Sequence, residues 1–310
     1  MPIKIPDDLP ARDILEREGM DVLHEKDAVR QDIRPLRIGL LNLMPNKIQT
    51  ETQIARLIGA TPLQVELTLV RMSEHIPRNT NADHMAAFYR PWIDVQAERF
   101  DGFILTGAPV ERLTFEAVSY WDELRQLLDW TQSHVHRCLT LCWAAQAALY
   151  HFHGLPKHEL PQKAFGVYPH RVLSLSSPYL RGFCDEFSAP VSRWTEVRKS
   201  DIREDAELEI LAESAVTGIC LIGDPVFKSL HMFNHLEYDT ITLADEYFRD
   251  AGRDPNTILP NQYFPNKDLS QLPMNSWRCH AHLLFANWIN EIYQTVPFEF
   301  ARLPKKSIIL

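Results

Sequence analysis

The residues with the most chemical promise lie in Arg137-Cys138-Leu139-Thr140-Leu141-Cys142-Trp143-Ala144-Ala145-Gln146, an apolar run that reaches a cysteine and passes at once into alanine-rich, helix-favouring sequence. A strand entering a helix through a tight turn reads this way, and such a turn lifts one side chain out at the carboxyl end of the strand. The Cys142 sulfur would then stand beside the first free N–H groups of the helix, whose dipole favours the thiolate, the reactive form of cysteine. A buried structural cysteine fits this segment equally well, because free cysteines are among the most buried residues.

A nucleophilic thiol needs a base, and the base needs a carboxylate to fix its tautomer. Leu230-His231-Met232-Phe233-Asn234-His235-Leu236-Glu237-Tyr238-Asp239 supplies both, as an apolar stretch ending in His-x-Glu. His235 and Glu237 fall on one side of an extended chain, since side chains repeat every second residue. With 13 histidines and 41 acidic residues, such a pair also arises by accident as a surface contact. Position favours chemistry: Cys142 and His235 both stand where an expected strand gives way to a helix, and in a parallel sheet these ends share one edge.

The elements that must position them alternate. Leu36 to Leu43 reads as a buried strand, followed by a helix from about Ile48 to Ile58. Strands are expected at about Val65 to Val70 and Gly102 to Leu105, then a helix through Tyr120 to Thr131 before the strand that leads to Cys142. This alternation implies right-handed crossovers and an α/β fold with a mostly parallel, doubly wound sheet flanked by helices. Beyond Gly154 the pattern loosens into shorter strands, among them Gly218 to Ile222 and Ser229 to Phe233, with helices at about Ile241 to Asp250 and Ser276 to Tyr293. Trp277, Phe285 and Trp288 read as a core stripe of that last helix. Residues 1–34, with a short helix at about Ala11 to Gly19, read as an arm packed on a single catalytic domain over 35–310.

Composition bounds the function. A net charge of -9 argues against a nucleic-acid surface, and no apolar run approaches the roughly 20 residues needed to cross a bilayer. The cysteines at 138, 142, 184, 220 and 279 form no Cys-x-x-Cys pair and no metal-ligand spacing, so no metal is expected and a reducing cytoplasm is. The acidic N-terminus shows no secretory signal.

Several ordered blocks carry a resemblance. Cys142-Trp143-Ala144-Ala145-Gln146 with the later His-x-Glu resembles the class I glutamine amidotransferase-like, flavodoxin-like fold. Leu41-Asn42-Leu43-Met44-Pro45-Asn46-Lys47, Thr106-Gly107-Ala108-Pro109-Val110-Glu111, Lys163-Ala164-Phe165-Gly166-Val167, Ser192-Arg193-Trp194-Thr195-Glu196-Val197, Glu237-Tyr238-Asp239 and Glu246-Tyr247-Phe248-Arg249-Asp250 resemble the homoserine O-acyltransferases of methionine biosynthesis, in family order across about Leu36 to Pro297. Phe233-Asn234 before His235 departs from the Thr-Gly of many members.

The resemblance implies a cysteine acyl-enzyme on Cys142, His235 as base and Glu237 as its orienting carboxylate. It implies an oxyanion hole from the backbone N–H groups of Lys47 and Trp143, each such donor contributing about 3 to 4 kcal/mol. Lys163, Ser192 and Arg249 would contact substrate, Arg249 by a bidentate grip on the amino-acid carboxylate. Read without the family, Arg249 would pair with Glu246 or Asp245 on its own helix. Glu111, with Ser192, would set the acyl donor: glutamate there accompanies acetyl-coenzyme A and a small residue succinyl-coenzyme A. Two carboxylates about 4 to 5 Å apart at an effective dielectric near 20 repel by roughly 3 to 4 kcal/mol, which would exclude a succinyl group. The alternative is a Glu111 that faces solvent or pairs with Arg112.

The expected activity is therefore homoserine O-acetyl transfer from acetyl-coenzyme A as co-substrate, with no permanently bound cofactor, in a cytoplasmic homodimer without membrane or nucleic-acid partners. Succinyl transfer is the nearest alternative. An amidotransferase-type hydrolase would use the same triad but favours glycines around the cysteine, where Trp143 and Ala144 stand. A non-catalytic binding protein would need neither His235 nor Glu237.

Overall fold

The apolar runs at Leu36–Leu41 and Phe100–Leu105 are almost continuous because both faces of these strands are covered. Leu36, Ile38, Leu40 and Ile104 enter one core, which the helices Lys47–Gly59 and Arg278–Thr295 close with residues such as Ile54, Ile58, Leu284 and Trp288. Leu41, Phe103 and Leu105 enter another, closed by the helices Trp121–His134 and Trp143–His153 through Leu124, Leu127, Ala147 and Ala148. Trp277, Phe285 and Trp288 are fully buried in the first core, as expected. The computed structural model describes residues 3–18, 20, 22–23, 34–74 and 80–297.

The strands in chain order are β1 (Ile3–Lys4), β2 (Val22–Leu23), β3 (Leu36–Leu41), β4 (Val65–Arg71), β5 (Arg90–Pro91) and β6 (Phe100–Leu105). They continue with β7 (Val135–Leu141), β8 (His158–Val172), β9 (Glu186–Glu196), β10 (Glu209–Ser214), β11 (Gly218–Asp224) and β12 (Ser229–Met232). They form one sheet in the order β2-β1-β4-β3-β6-β7-β12-β11-β10-β8-β9, with β5 beside β4. Pairing is parallel from β2 to β12 and antiparallel from β12 to β9. The mostly parallel sheet with helices on its faces agrees with the expectation.

The second half of the sheet differs from it. Instead of short strands, β8 runs for 15 residues and β9 for 11, paired as one long hairpin. The reason lies in β8 itself, whose polar and proline-bearing sequence His158-Glu159-Leu160-Pro161-Gln162-Lys163 is largely open to solvent and lacks the buried apolar run that marks a parallel strand. The hairpin is tied down at Gly166, where a Cβ would lie 2.3 Å from the Asn261 backbone. Asn261 bonds there to both sides of the glycine, donating to Phe165 O at 2.9 Å and accepting from Val167 N at 2.8 Å.

Near the N-terminus, β1 adds to the sheet edge at β4, and Ile3, Ile5, Leu9 and Leu15 are buried. Of the arm expected over 1–34, residues 24–33 lie outside the described residues, as do 298–310 at the other end. No described helix is long and apolar enough to cross a membrane.

Candidate active site

Cys142 ends β7 and caps the helix Trp143–His153, with φ 50° and ψ -114°. A residue with a side chain holds such angles at a cost of about 1 to 3 kcal/mol, so the surroundings must impose them. They do: the Cys142 N–H donates to Met232 O at 2.7 Å, locking the ends of β7 and β12 together, while its carbonyl accepts from the Ala145 and Gln146 N–H groups. Across the elbow lies Gly107, where a Cβ would stand 3.1 Å from the Cys142 Cβ.

His235 reaches the same spot from β12. The extended His-x-Glu expected from the sequence is instead a turn, closed by the Tyr238 N–H on His235 O at 3.2 Å, and the next helix begins only at Thr242. Folding back brings the two side chains closer than an extended chain would. His235 Nδ1 lies 2.7 Å from Glu237 Oε1, Tyr238 stacks on the imidazole with ring centroids 4.2 Å apart, and the His235 N–H donates to Pro190 O at 2.9 Å. The imidazole is thus fixed from three sides. Glu237 Oε2 is buried without a protein partner.

The electrostatics divide between the two partners. Burial opposes the imidazolium of His235, but the Glu237 carboxylate and the Cys142 sulfur, hydrogen-bonded to the ring, outweigh it and raise its pKa well above the usual value. Burial pushes the Cys142 thiol up, aided by Glu111 and opposed by His235 and Arg193. This reverses the expectation of a thiolate favoured by the helix alone, because Cys142 is only 3% exposed. An anion on Cys142 therefore depends on a proton held by His235.

Cys142 and His235 line one cavity of about 190 Å³, together with Glu111, Lys163, Ser192 and Arg249. Glu111 is half-buried, accepts the Trp194 N–H at 2.6 Å, and has its pKa raised by burial. It makes no pair with Arg112, which turns to Glu159 at 2.8 Å and lies over the Trp194 ring. Lys163 pairs with Asp250 at 3.1 Å, and the Ser192 hydroxyl donates to Glu246 at 2.5 Å. Arg249 pairs through Nε with Asp250 at 2.8 Å, rather than with Glu246 or Asp245, and is open enough to receive a ligand at its terminal nitrogens.

Two expected residues stand apart. Lys47 does not line the cavity; its buried ammonium turns back onto the carbonyls of Asn42 and Met44 at 2.7 and 3.1 Å, where burial, partly offset by Glu51, lowers its pKa to about 8. Only Met44, at the start of that loop, reaches the cavity. The Trp143 indole is buried in the core against Phe115 and Tyr120, and its backbone N–H, first in its helix, has no acceptor within that helix.

Sequence patterning does not single out Glu246 for the site, yet it organises one wall, accepting from Tyr238 OH at 2.6 Å as well as from Ser192, with Lys163 at 3.7 Å. In the sequence it is one acidic residue among several on an exposed helix face. Among the described residues no cluster suited to a metal is present.

Known proteins resemble this chain at two levels, family and fold. A profile of the homoserine O-succinyltransferase family matches residues 2–298, and the chain belongs to that family. A homoserine O-acetyltransferase of Brucella melitensis biotype 1 is 66% identical over 305 residues, covering 98% of this chain and 100% of the relative. The protein of the same name from Brucella abortus strain S19 is 66% identical with the same coverage. A glutamine amidotransferase from Thermotoga maritima shares the fold at a TM-score of 0.55 and 10% identity, covering 85% of this chain and 100% of its own. Another, from Methylobacillus flagellatus, reaches 0.51 at 11% identity, covering 84% and 95%.

Proposed function

We propose that the protein transfers the acetyl group of acetyl-coenzyme A to the hydroxyl of L-homoserine through a thioester on Cys142, giving O-acetyl-L-homoserine and coenzyme A. The Cys142 sulfur, its proton passed to His235 Nε2, attacks the thioester carbonyl, and coenzyme A leaves with that proton. The homoserine hydroxyl then gives its proton to His235 as its oxygen attacks the acyl-enzyme, and collapse returns the cysteine. Glu237 holds the imidazole through Nδ1 and balances its charge in both steps. The oxyanion falls to the Trp143 N–H, with the Lys47 N–H as the second donor of the family pattern. Arg249 receives the substrate carboxylate, Lys163 and Ser192 contact the bound amino acid, and the half-buried carboxylate of Glu246 stands where an ammonium is met.

The observation that carries the donor is Glu111, whose carboxylate lines the Cys142 cavity and, among the described residues, accepts no hydrogen bond from a cation. A succinyl group on the sulfur would bring a second carboxylate against it, at a cost of roughly 3 to 4 kcal/mol, whereas an acetyl methyl loses nothing. The names of the Brucella relatives favour the same donor, while the family profile carries the name of the succinyl reaction. With acetyl-coenzyme A as co-substrate and no resident cofactor, the enzyme would act in methionine biosynthesis as a cytoplasmic homodimer.

Steady-state rates with both donors, read with intact-protein mass spectrometry, test this. Acetylation at Cys142 and faster turnover with acetyl-coenzyme A are expected; a preference for succinyl-coenzyme A would refute the donor, and no acyl-protein the mechanism.

A further inference from the structure

Directly behind the catalytic cavity lies a charge that the proposed chemistry has not used. On β9, Ser192 and Trp194 face the cavity, so Arg193 between them points the other way, into the protein, where it is 1% exposed. Its Nη1 donates to Asn234 Oδ1 at 3.0 Å and to Phe233 O and Ile219 O at 3.4 Å, and its Nη2 to Thr217 O. Nε has no partner. Asn234 is itself held from the far side, its Nδ2 lying 2.7 Å from His170 Nε2.

Two features set this guanidinium apart. Arg12, the other buried arginine among the described residues, lies against the carboxylates of Asp7 and Glu16, whereas the hydrogen bonds of Arg193 go to carbonyl and amide oxygens. A fully buried cation without a touching counter-ion carries a desolvation cost that carbonyl dipoles offset only in part, so an anion that develops nearby is favourable to it. The groups whose charge it feels are Cys142, Cys220, Glu196 and Glu111, and the Cys142 sulfur leads them. It also grips Phe233 and Asn234, the two residues that immediately precede His235.

We infer that Arg193 is a positioning residue with an electrostatic role. It clamps the 233–234 segment that delivers His235, and its charge, hydrogen-bonded to neutral oxygens alone, offsets the anion that forms on Cys142. The inference rests on the reading of Cys142 as nucleophile. It gives Asn234 a purpose: a neutral amide orients Arg193 without cancelling its charge, and a carboxylate there would neutralise it.

The experiment uses the full-length protein and iodoacetamide, with alkylation of the Cys142 peptide followed by mass spectrometry across pH. Asn234→Asp places a carboxylate against Arg193 at nearly unchanged shape, and Arg193→Met removes the charge; Arg193→Lys keeps it. Asn234→Asp and Arg193→Met are expected to move the alkylation midpoint up by about one pH unit, a roughly tenfold loss of thiolate at fixed pH, with Arg193→Lys close to the parent. The turnover number should fall in step while KM for acetyl-coenzyme A stays within about twofold. A purely structural role would lower the melting temperature without moving the midpoint, and an unmoved midpoint in folded Asn234→Asp overturns the inference even if Arg193→Met fails to fold. Full turnover in Cys142→Ala would instead overturn the nucleophile assignment beneath it.

Discussion

The two halves of the sheet contribute differently to the site. The parallel half, buried on both faces, delivers Cys142 on a strained elbow that few conformations other than the observed one could hold. The antiparallel half, with much of β8 facing solvent, delivers one wall, Lys163 from β8 and Ser192 and Trp194 from β9, against which the loop after β6 lays Glu111. His235 comes from the seam, since β12 pairs in parallel with β7 and antiparallel with β11. The elbow and the seam fix the sulfur and the imidazole, and side chains from the hairpin, the loop after β6 and the helix Thr242–Ala251 line the cavity around them.

If that division holds, the deepest losses follow from the elbow. Cys142→Ala should lower turnover by roughly 10⁴-fold or more and abolish acyl-protein, while circular dichroism and melting stay near the parent. At the seam, Glu237→Gln should keep the 2.7 Å contact but stabilise the wrong tautomer, cutting turnover by roughly a hundredfold or more with little change in substrate KM. Equal losses in both variants and in variants of the wall would erase the distinction.

The wall should change selectivity instead. Glu111→Ala is expected to shift the ratio of succinyl to acetyl rates by roughly a hundredfold toward succinyl, measured as kcat/KM for each donor. Acid should do the same in part. Burial raises the Glu111 pKa, so as pH falls the carboxyl becomes neutral and the repulsion fades, narrowing the preference before a normal carboxylate would titrate.

The smallest effect compares the stability of the two halves. His136 on β7 and His170 on β8 both have pKa values lowered to about 4, mainly by burial. Each is neutral when folded and protonates near 6.5 when unfolded, so the unfolded chain binds more protons between those values and stability is lost as pH falls from about 6.5 to 4. Unfolding free energies from urea titrations across that range should fall for the parent, by on the order of 2 to 3 kcal/mol per histidine. His136→Gln and His170→Gln should each remove one share of the pH dependence; a flat parent profile would contradict both.

What the sequence disclosed follows the same division. Apolar runs at Leu36–Leu41 and Phe100–Leu105 announce strands buried on both faces, and the passage from Leu141 into Ala144 announces the elbow. The hairpin is not legible, because Pro161, Lys163 and Pro169 in β8 resemble a loop until the partner strand supplies hydrogen bonds. Glu246 is equally hidden, since its surroundings of Asp245, Arg249 and Asp250 describe a solvated helix face. Lys47 marks the limit of local reasoning: a cation at a helix N-terminus opposes the dipole only if it stays there, and this one turns back to two carbonyl oxygens. The pairing of Arg112 with Glu159 rather than Glu111 depends on a strand 47 residues away.

Gly107 bears on how such an enzyme could be silenced. Opposite the sulfur, its single hydrogen is all that separates the Thr106–Pro109 loop from the Cys142 Cβ, so one added methyl would crowd the elbow without touching any charged group. A side chain there would displace the elbow by a few tenths of an ångström while leaving Lys163, Ser192 and Arg249 untouched, a lever on placement separate from recognition.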